Sequence, residues 1–182
     1  MPDFWPGTYC PNFSDWASGD IVLAHRTQDI PGTLLAAGQL ASMNSSIRKS
    51  YHVTHAGIYL GAGRMIDATL GRPVDTVSLW EYCQTRALEL RRVPDVVGQD
   101  IADAANSHLG QSYSILQVVL SKLVPGTKAV PDAVYCSTLV GAVVTEATGI
   151  VLESDPKHRP LYPAVLARHP GLQIVNLEWR SL

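Results

Sequence analysis

The stretch Val53-Thr-His55-Ala-Gly57-Ile-Tyr59-Leu-Gly61-Ala-Gly63-Arg-Met65-Ile-Asp67 decides how this chain folds. Two runs of β-branched, aromatic and aliphatic residues flank a Gly-Ala-Gly triplet, which is a hairpin signal. A turn centred on Gly61 sets His55 directly opposite Asp67 on one side of the sheet, with Cβ atoms about 4.5–5.5 Å apart and within reach of an imidazole–carboxylate hydrogen bond. A turn with an even number of residues sends Asp67 to the other side. The register of this hairpin therefore decides whether the two side chains can act together.

Outward from the hairpin, the spacing predicts a short strand over residues 21–24 after the Gly19-Asp20 turn, and extended pieces over 74–77, 88–93 and 173–177. Helical patterns cover residues 33–43, 78–85 with Ser78 as cap, 100–109 closed by Gly110, 115–124 and 164–168. A further helix is expected to begin at Pro131-Asp132, carry Cys136 and end at Gly149. Its Leu139, Val140, Val143 and Ala147 follow the helical period and bury one face. Residues 1–18 hold five aromatics and three prolines and read as an extended arm rather than a regular element. The Pro-rich stretch 156–163 reads as a link.

The whole chain has 182 residues, 46% of them hydrophobic and 16% charged, which suits a single domain with a substantial core. A formal charge of −2 with scattered Lys and Arg lacks the basic footprint of a nucleic-acid binder. No run approaches the roughly 20 apolar residues that span a bilayer. The N-terminus lacks the basic start and apolar run of a signal peptide, so synthesis as a cytoplasmic species without a cleaved signal is expected. Three cysteines are an odd number for a disulfide framework, and no Cys-x-x-Cys pair or clustered His/Cys spacing suggests zinc. Cys83 reads as a small core residue and Cys10 as an incidental loop thiol.

Cys136 carries the chemistry. A thiol attacks as thiolate, and the first turn of a helix, with its free N–H groups and positive dipole end, favours the anion. Cys136 is expected about one turn beyond the cap Asp132. His55 is the candidate base that takes the thiol proton and returns it to the leaving amine. Asp67 then holds the imidazole tautomer and its charged form. The backbone N–H of Cys136 would meet the oxyanion, with Tyr113, in Gly110-Gln-Ser-Tyr113, as the candidate second donor. Singly, these residues read as a core thiol, a strand histidine and a turn carboxylate. The hairpin register that joins two of them favours the chemical reading. His52 competes for the role of base, but its odd spacing from His55 puts it on the opposite strand face. His25, His108, His158 and His169 read as surface residues, and Asp20 as a turn-capping carboxylate.

Taken in order, these motifs resemble a circularly permuted member of the NlpC/P60 superfamily of papain-like cysteine hydrolases. His55-Ala-Gly-Ile-Tyr59 resembles the family's histidine strand, and Asp67 falls twelve residues later, where the family places its third residue. Gly110-Gln-Ser-Tyr113 resembles the segment before the nucleophile, and Tyr135-Cys-Ser-Thr-Leu-Val140 the nucleophile motif itself. Gly19-Asp20-Ile-Val22 is similar to the opening strand of permuted members and Tyr162-Pro-Ala-Val-Leu166 to their closing segment, so the resemblance spans residues 18–177. Tyr135 and Thr138 depart from the Asp and Gly usual in unpermuted enzymes.

The resemblance implies an α+β papain-like fold, an antiparallel sheet carrying His55 and Asp67 packed on the Cys136 helix, and no metal or organic cofactor. It implies hydrolysis of an amide bond in peptidoglycan peptide through an acyl-enzyme. Without a signal or wall-binding domain, such an enzyme suits an effector delivered by a type VI-like secretion system to a rival's periplasm, with an immunity protein as partner, or a cytoplasmic recycling enzyme. Permuted relatives also include lipid- and acyl-directed enzymes of the lecithin-retinol acyltransferase type, but the Cys-Glu-His signature of that group is absent after Cys136. A binding module that retains the fold without turnover is the third reading.

Overall fold

A computed structural model describes residues 9–25, 49–69, 72–83, 86–112, 135–152 and 161–181. The helices expected over 33–43 and 115–124, the Pro131-Asp132 helix start, Tyr113 and His158 lie outside the described residues.

Six strands form one antiparallel sheet: β2 (Ile21–His25), β3 (Val53–Gly61), β4 (Arg64–Asp67), β5 (Asp75–Ser78), β6 (Leu88–Arg92) and β7 (Gln173–Val175). Their order across the sheet is β5-β4-β3-β2-β6-β7, with β3 and β2 at the centre. Among the described residues four α-helices accompany it: α1 (Leu79–Cys83), α2 (Gly98–Ser107), α3 (Cys136–Thr148) and α4 (Pro163–Leu166). The architecture is α+β. No helix among the described residues is long and apolar enough to cross a membrane.

Alternation along the strands divides the core in two. Ile21 and Leu23 of β2, with Ala56, Ile58 and Ile66, face α2 and α3 and pack with Ile101, Ala105, Leu139, Val140 and Val143. Val22 and Ala24, with Tyr59, Met65 and Leu90, pack on the other side with Trp16, Leu79 and Cys83. Burying each large aliphatic side chain contributes about 1.5–3 kcal/mol, so the α3 stripe fixes that helix firmly on the sheet. Gly149 ends α3 at φ 73°, with its N–H donating to the Thr145 carbonyl 2.8 Å away.

The N-terminal arm departs from expectation. Residues Tyr9–Pro11 form β1, which pairs antiparallel with β8 (Trp179–Ser181), and Phe13–Asp15 make a 3-10 turn. No local pattern announces this pairing of chain ends. Asp20 does turn the chain, accepting from the Ala17 N–H at 2.8 Å. It is also buried against Arg92, with contacts of 2.6 and 2.8 Å to its two oxygens.

The β3–β4 hairpin corrects the expected register. Asp67 faces Gly57, not His55, while Ile58 faces Ile66 and Tyr59 faces Met65. The turn contains two central residues, Ala62 and Gly63, both at positive φ as a type I′ turn requires. Such an even turn alone would send Asp67 to the wrong side. A bulge between Tyr59 and Gly61 inserts one extra residue in β3 and restores the parity. His55 and Asp67 thus share a side as diagonal neighbours, about 7–8 Å apart at the backbone and within reach of an imidazole.

Gly57 sits between them in the pleat. A Cβ there would lie 2.6 Å from the Ile66 carbonyl oxygen and 3.2 Å from Met65 Cε. The backbone oxygen cannot yield without shifting β4, so overpacking of about 1–3 kcal/mol is expected. Gly57→Ala should lower the thermal midpoint by several degrees and displace Asp67 from His55. Thermal melts followed by circular dichroism check the first, and an unchanged midpoint contradicts the packing assignment.

Candidate functional site

Cys136 is the first helical residue of α3, one turn earlier in the helix than the sequence suggested. Tyr135 is the cap, with extended backbone at φ −118° and ψ 166°. The Thr138 hydroxyl accepts from the Tyr135 N–H at 3.0 Å and donates to the Tyr135 carbonyl at 2.9 Å. That reciprocal contact fixes the helix start directly at the cysteine. Ser137, fully buried, donates its hydroxyl to the Leu161 carbonyl and ties the first turn to the segment before α4. Cys136 is buried at the end of the helix where unpaired N–H groups and the positive dipole end collect.

His55 and Asp67 meet it from the hairpin. The His55 Nε2 bonds Asp67 Oδ1, and the Cys136 sulfur lies within hydrogen-bonding reach of the same ring. With Nε2 committed to the carboxylate, Nδ1 is the nitrogen available to the thiol. The His55 side chain is 12% exposed. Its burial opposes protonation, but the Asp67 carboxylate and then a thiolate at Cys136 outweigh this and hold its pKa up to about 10. Asp67 is fully buried, which pushes its carboxyl up, yet the His55 charge and hydrogen bonds from His55, Thr69 and Arg72 hold it well below the usual carboxylate range.

Three residues of this site escaped the sequence reading. The Thr69 hydroxyl donates to Asp67 Oδ2 at 2.5 Å, and the Arg72 guanidinium does so at 2.7 Å. Both lie within five residues of Asp67 in the loop after β4, so a carboxylate followed closely by Thr and Arg was the available signal. Tyr82 of α1 brings its ring to 5.7 Å from that of His55, and the Arg86 guanidinium stands 4.7 Å from the Tyr82 ring centre. Burial, and then the nearby Asp67 charge, push the Tyr82 hydroxyl above its ordinary range. Nothing in the local sequence places Tyr82 near His55.

The other histidines divide differently from expectation. His25 is half-buried and bonds Glu89 at 2.9 Å, with His52 beside both, and His108 bonds Gln111 and Glu146 at 3.0 Å each. These side chains find partners because neighbouring elements supply carboxylates that the local pattern does not show. Neither His25 nor His108 is a free surface residue. Cys83 is buried in the core as expected.

The chain's fold is similar to the crystal structure of metalloprotein yiiX from Escherichia coli O157:H7, described as DUF1105. The TM-score is 0.60 at 20% identity, over 90% of this chain and 98% of that one. At that identity the likeness is one of fold. No family model matches the chain, and no curated protein matches it.

The His55–Asp67 pair has a defined pH signature. The raised pKa of His55 contributes stability that is fully present below about 6.5, the ordinary histidine value, and is lost as pH rises through about 10. Asp67, depressed in the fold, contributes stability present above about 3.9 and lost as pH falls through its folded pKa. Nuclear magnetic resonance titration of the His55 ring should show it protonated well above neutrality, and Asp67→Asn should move that titration down. A ring titrating near its ordinary value in both proteins contradicts the arrangement.

Proposed function

We propose that this protein is a cysteine hydrolase of the papain-like, circularly permuted NlpC/P60 type, cleaving an amide bond in the peptide of peptidoglycan. The single observation that carries the reading is the His55–Asp67 pair, with Asp67 fully buried and Cys136 acting on the His55 ring from the first turn of a helix. A core cysteine needs neither a histidine at its sulfur nor a carboxylate behind that histidine. The sequence resemblance and the α+β fold with an antiparallel sheet support the same reading.

In this mechanism the thiolate of Cys136 attacks the amide carbonyl carbon, and the carbonyl electron pair moves onto oxygen. The Cys136 backbone N–H, at the helix start, would stabilise that oxyanion; removing one such donor typically costs about 10²–10³ in rate. Collapse of the intermediate breaks the C–N bond, and His55 delivers its proton to the leaving amine. Water then attacks the thioester while His55 accepts a proton, releasing the carboxylic acid and restoring the thiol–imidazole pair. Asp67 keeps the imidazole oriented and offsets its charge throughout, held in turn by Thr69 and Arg72. Tyr113 remains the proposed second oxyanion donor.

Purified peptidoglycan digested by the wild-type protein should yield new peptide termini, identified by mass spectrometry. Cys136→Ala should yield none, and His55→Ala should lose at least about 10²-fold in rate. Intact muropeptides after incubation with folded wild-type protein would overturn the substrate assignment and turn the search to acyl esters.

A further inference from the structure

A second cluster of chemically capable side chains shares no residue with the Cys136 site. His25 ends β2, His52 immediately precedes β3 and Glu89 lies on β6, and their ligating atoms all fall within 4.8 Å of one another. Glu89 Oε1 is 2.9 Å from His25 Nε2 and 3.7 Å from His52 Nε2. In a tetrahedral zinc site with bonds of roughly 2.0–2.1 Å, neighbouring donors stand about 3.3 Å apart, which the two measured separations bracket. Closing on an ion would need shifts of only a few tenths of an ångström for these pairs.

The surroundings orient these donors. Glu89 Oε2 is taken by the Arg91 guanidinium at 2.7 Å, which leaves Oε1 to the two imidazoles. A bulge between Ala24 and His25 breaks the β2–β3 register beside His25. The three side chains are 13%, 35% and 27% exposed, so an ion and a water molecule could reach them from solvent. Among the described residues, Arg91, and Arg168 near His52, are the cations facing the cluster, and they oppose binding of a divalent ion. Glu89 faces Leu23, and Leu23 alternates with Ala24, which faces His55, so this cluster and the His55 side chain lie on opposite sides of the sheet.

We propose that His25, His52 and Glu89 form a binding site for one divalent transition-metal ion of the zinc type. Two imidazole nitrogens and one carboxylate oxygen suit such an ion, and three protein donors leave a fourth position for water. The ion would pin the end of β2, the start of β3 and β6 together. Separations of 27 and 37 residues between successive donors hide the set from any reading of local spacing. Among the described residues, no other group of three His, Cys, Asp or Glu side chains meets the same distance criterion, the Cys136, His55 and Asp67 set included.

The full-length protein, stripped with chelator and dialysed, should be titrated with zinc by calorimetry, with metal content and thermal midpoint measured in parallel. Wild type and Cys136→Ser should each bind one zinc per chain and melt higher with it. His52→Ala should bind at least about tenfold more weakly. Glu89→Gln provides a second variant if His52→Ala does not fold, and cobalt bound to wild type should show no thiolate charge-transfer band. Absence of zinc binding, or binding lost in Cys136→Ser and kept in His52→Ala, would overturn the proposal. Because the readouts are metal content and stability, they do not depend on hydrolysis at Cys136.

Discussion

A fully buried carboxylate is the constraint from which the rest of the site follows. Asp67 sits in the sheet with no solvent to stabilise its charge, and such a group is tolerated only when its oxygens are paired. One oxygen faces His55, and the other takes Thr69 and Arg72. The charge on Asp67 in turn makes protonation of the half-buried His55 imidazole favourable, and Cys136 at the helix start acts on the same ring. Removal of any one partner leaves the next group buried without its complement.

Parity in one hairpin makes this arrangement possible. A two-residue turn and a single bulge together give the relation that a different turn was expected to give alone. The sequence thus led to the right side of the sheet through the wrong register. Local glycine pattern marks a reversal clearly, but a bulge depends on how the strand twists against its neighbours, which short-range pattern does not report. Gly57, between His55 and Asp67 in the pleat, is part of the same device.

Other features were legible in proportion to their locality. Gly149 marked the end of α3, the apolar period of Leu139, Val140 and Val143 its buried face, and Cys83 its place in the core. The start of α3 was misplaced because Thr138, a residue inside the helix, fixes the cap at Tyr135. Asp20 was readable as a turn residue, but its partner Arg92 lies 72 residues away. The β1–β8 pair, the approach of Tyr82 to His55 and the meeting of His25, His52 and Glu89 all join distant segments, and the strand order that joins them is a property of the whole sheet.

On the proposed reading, the surroundings of Cys136 make it a nucleophile rather than a packing residue. Its most direct test is the alkylation rate of Cys136 in the folded protein, resolved from Cys83 by peptide mass mapping and compared with His55→Ala. Cys136 should react much faster than Cys83, and His55→Ala should slow it at least about tenfold. An inert Cys136, or a rate that His55→Ala leaves unchanged, would contradict it.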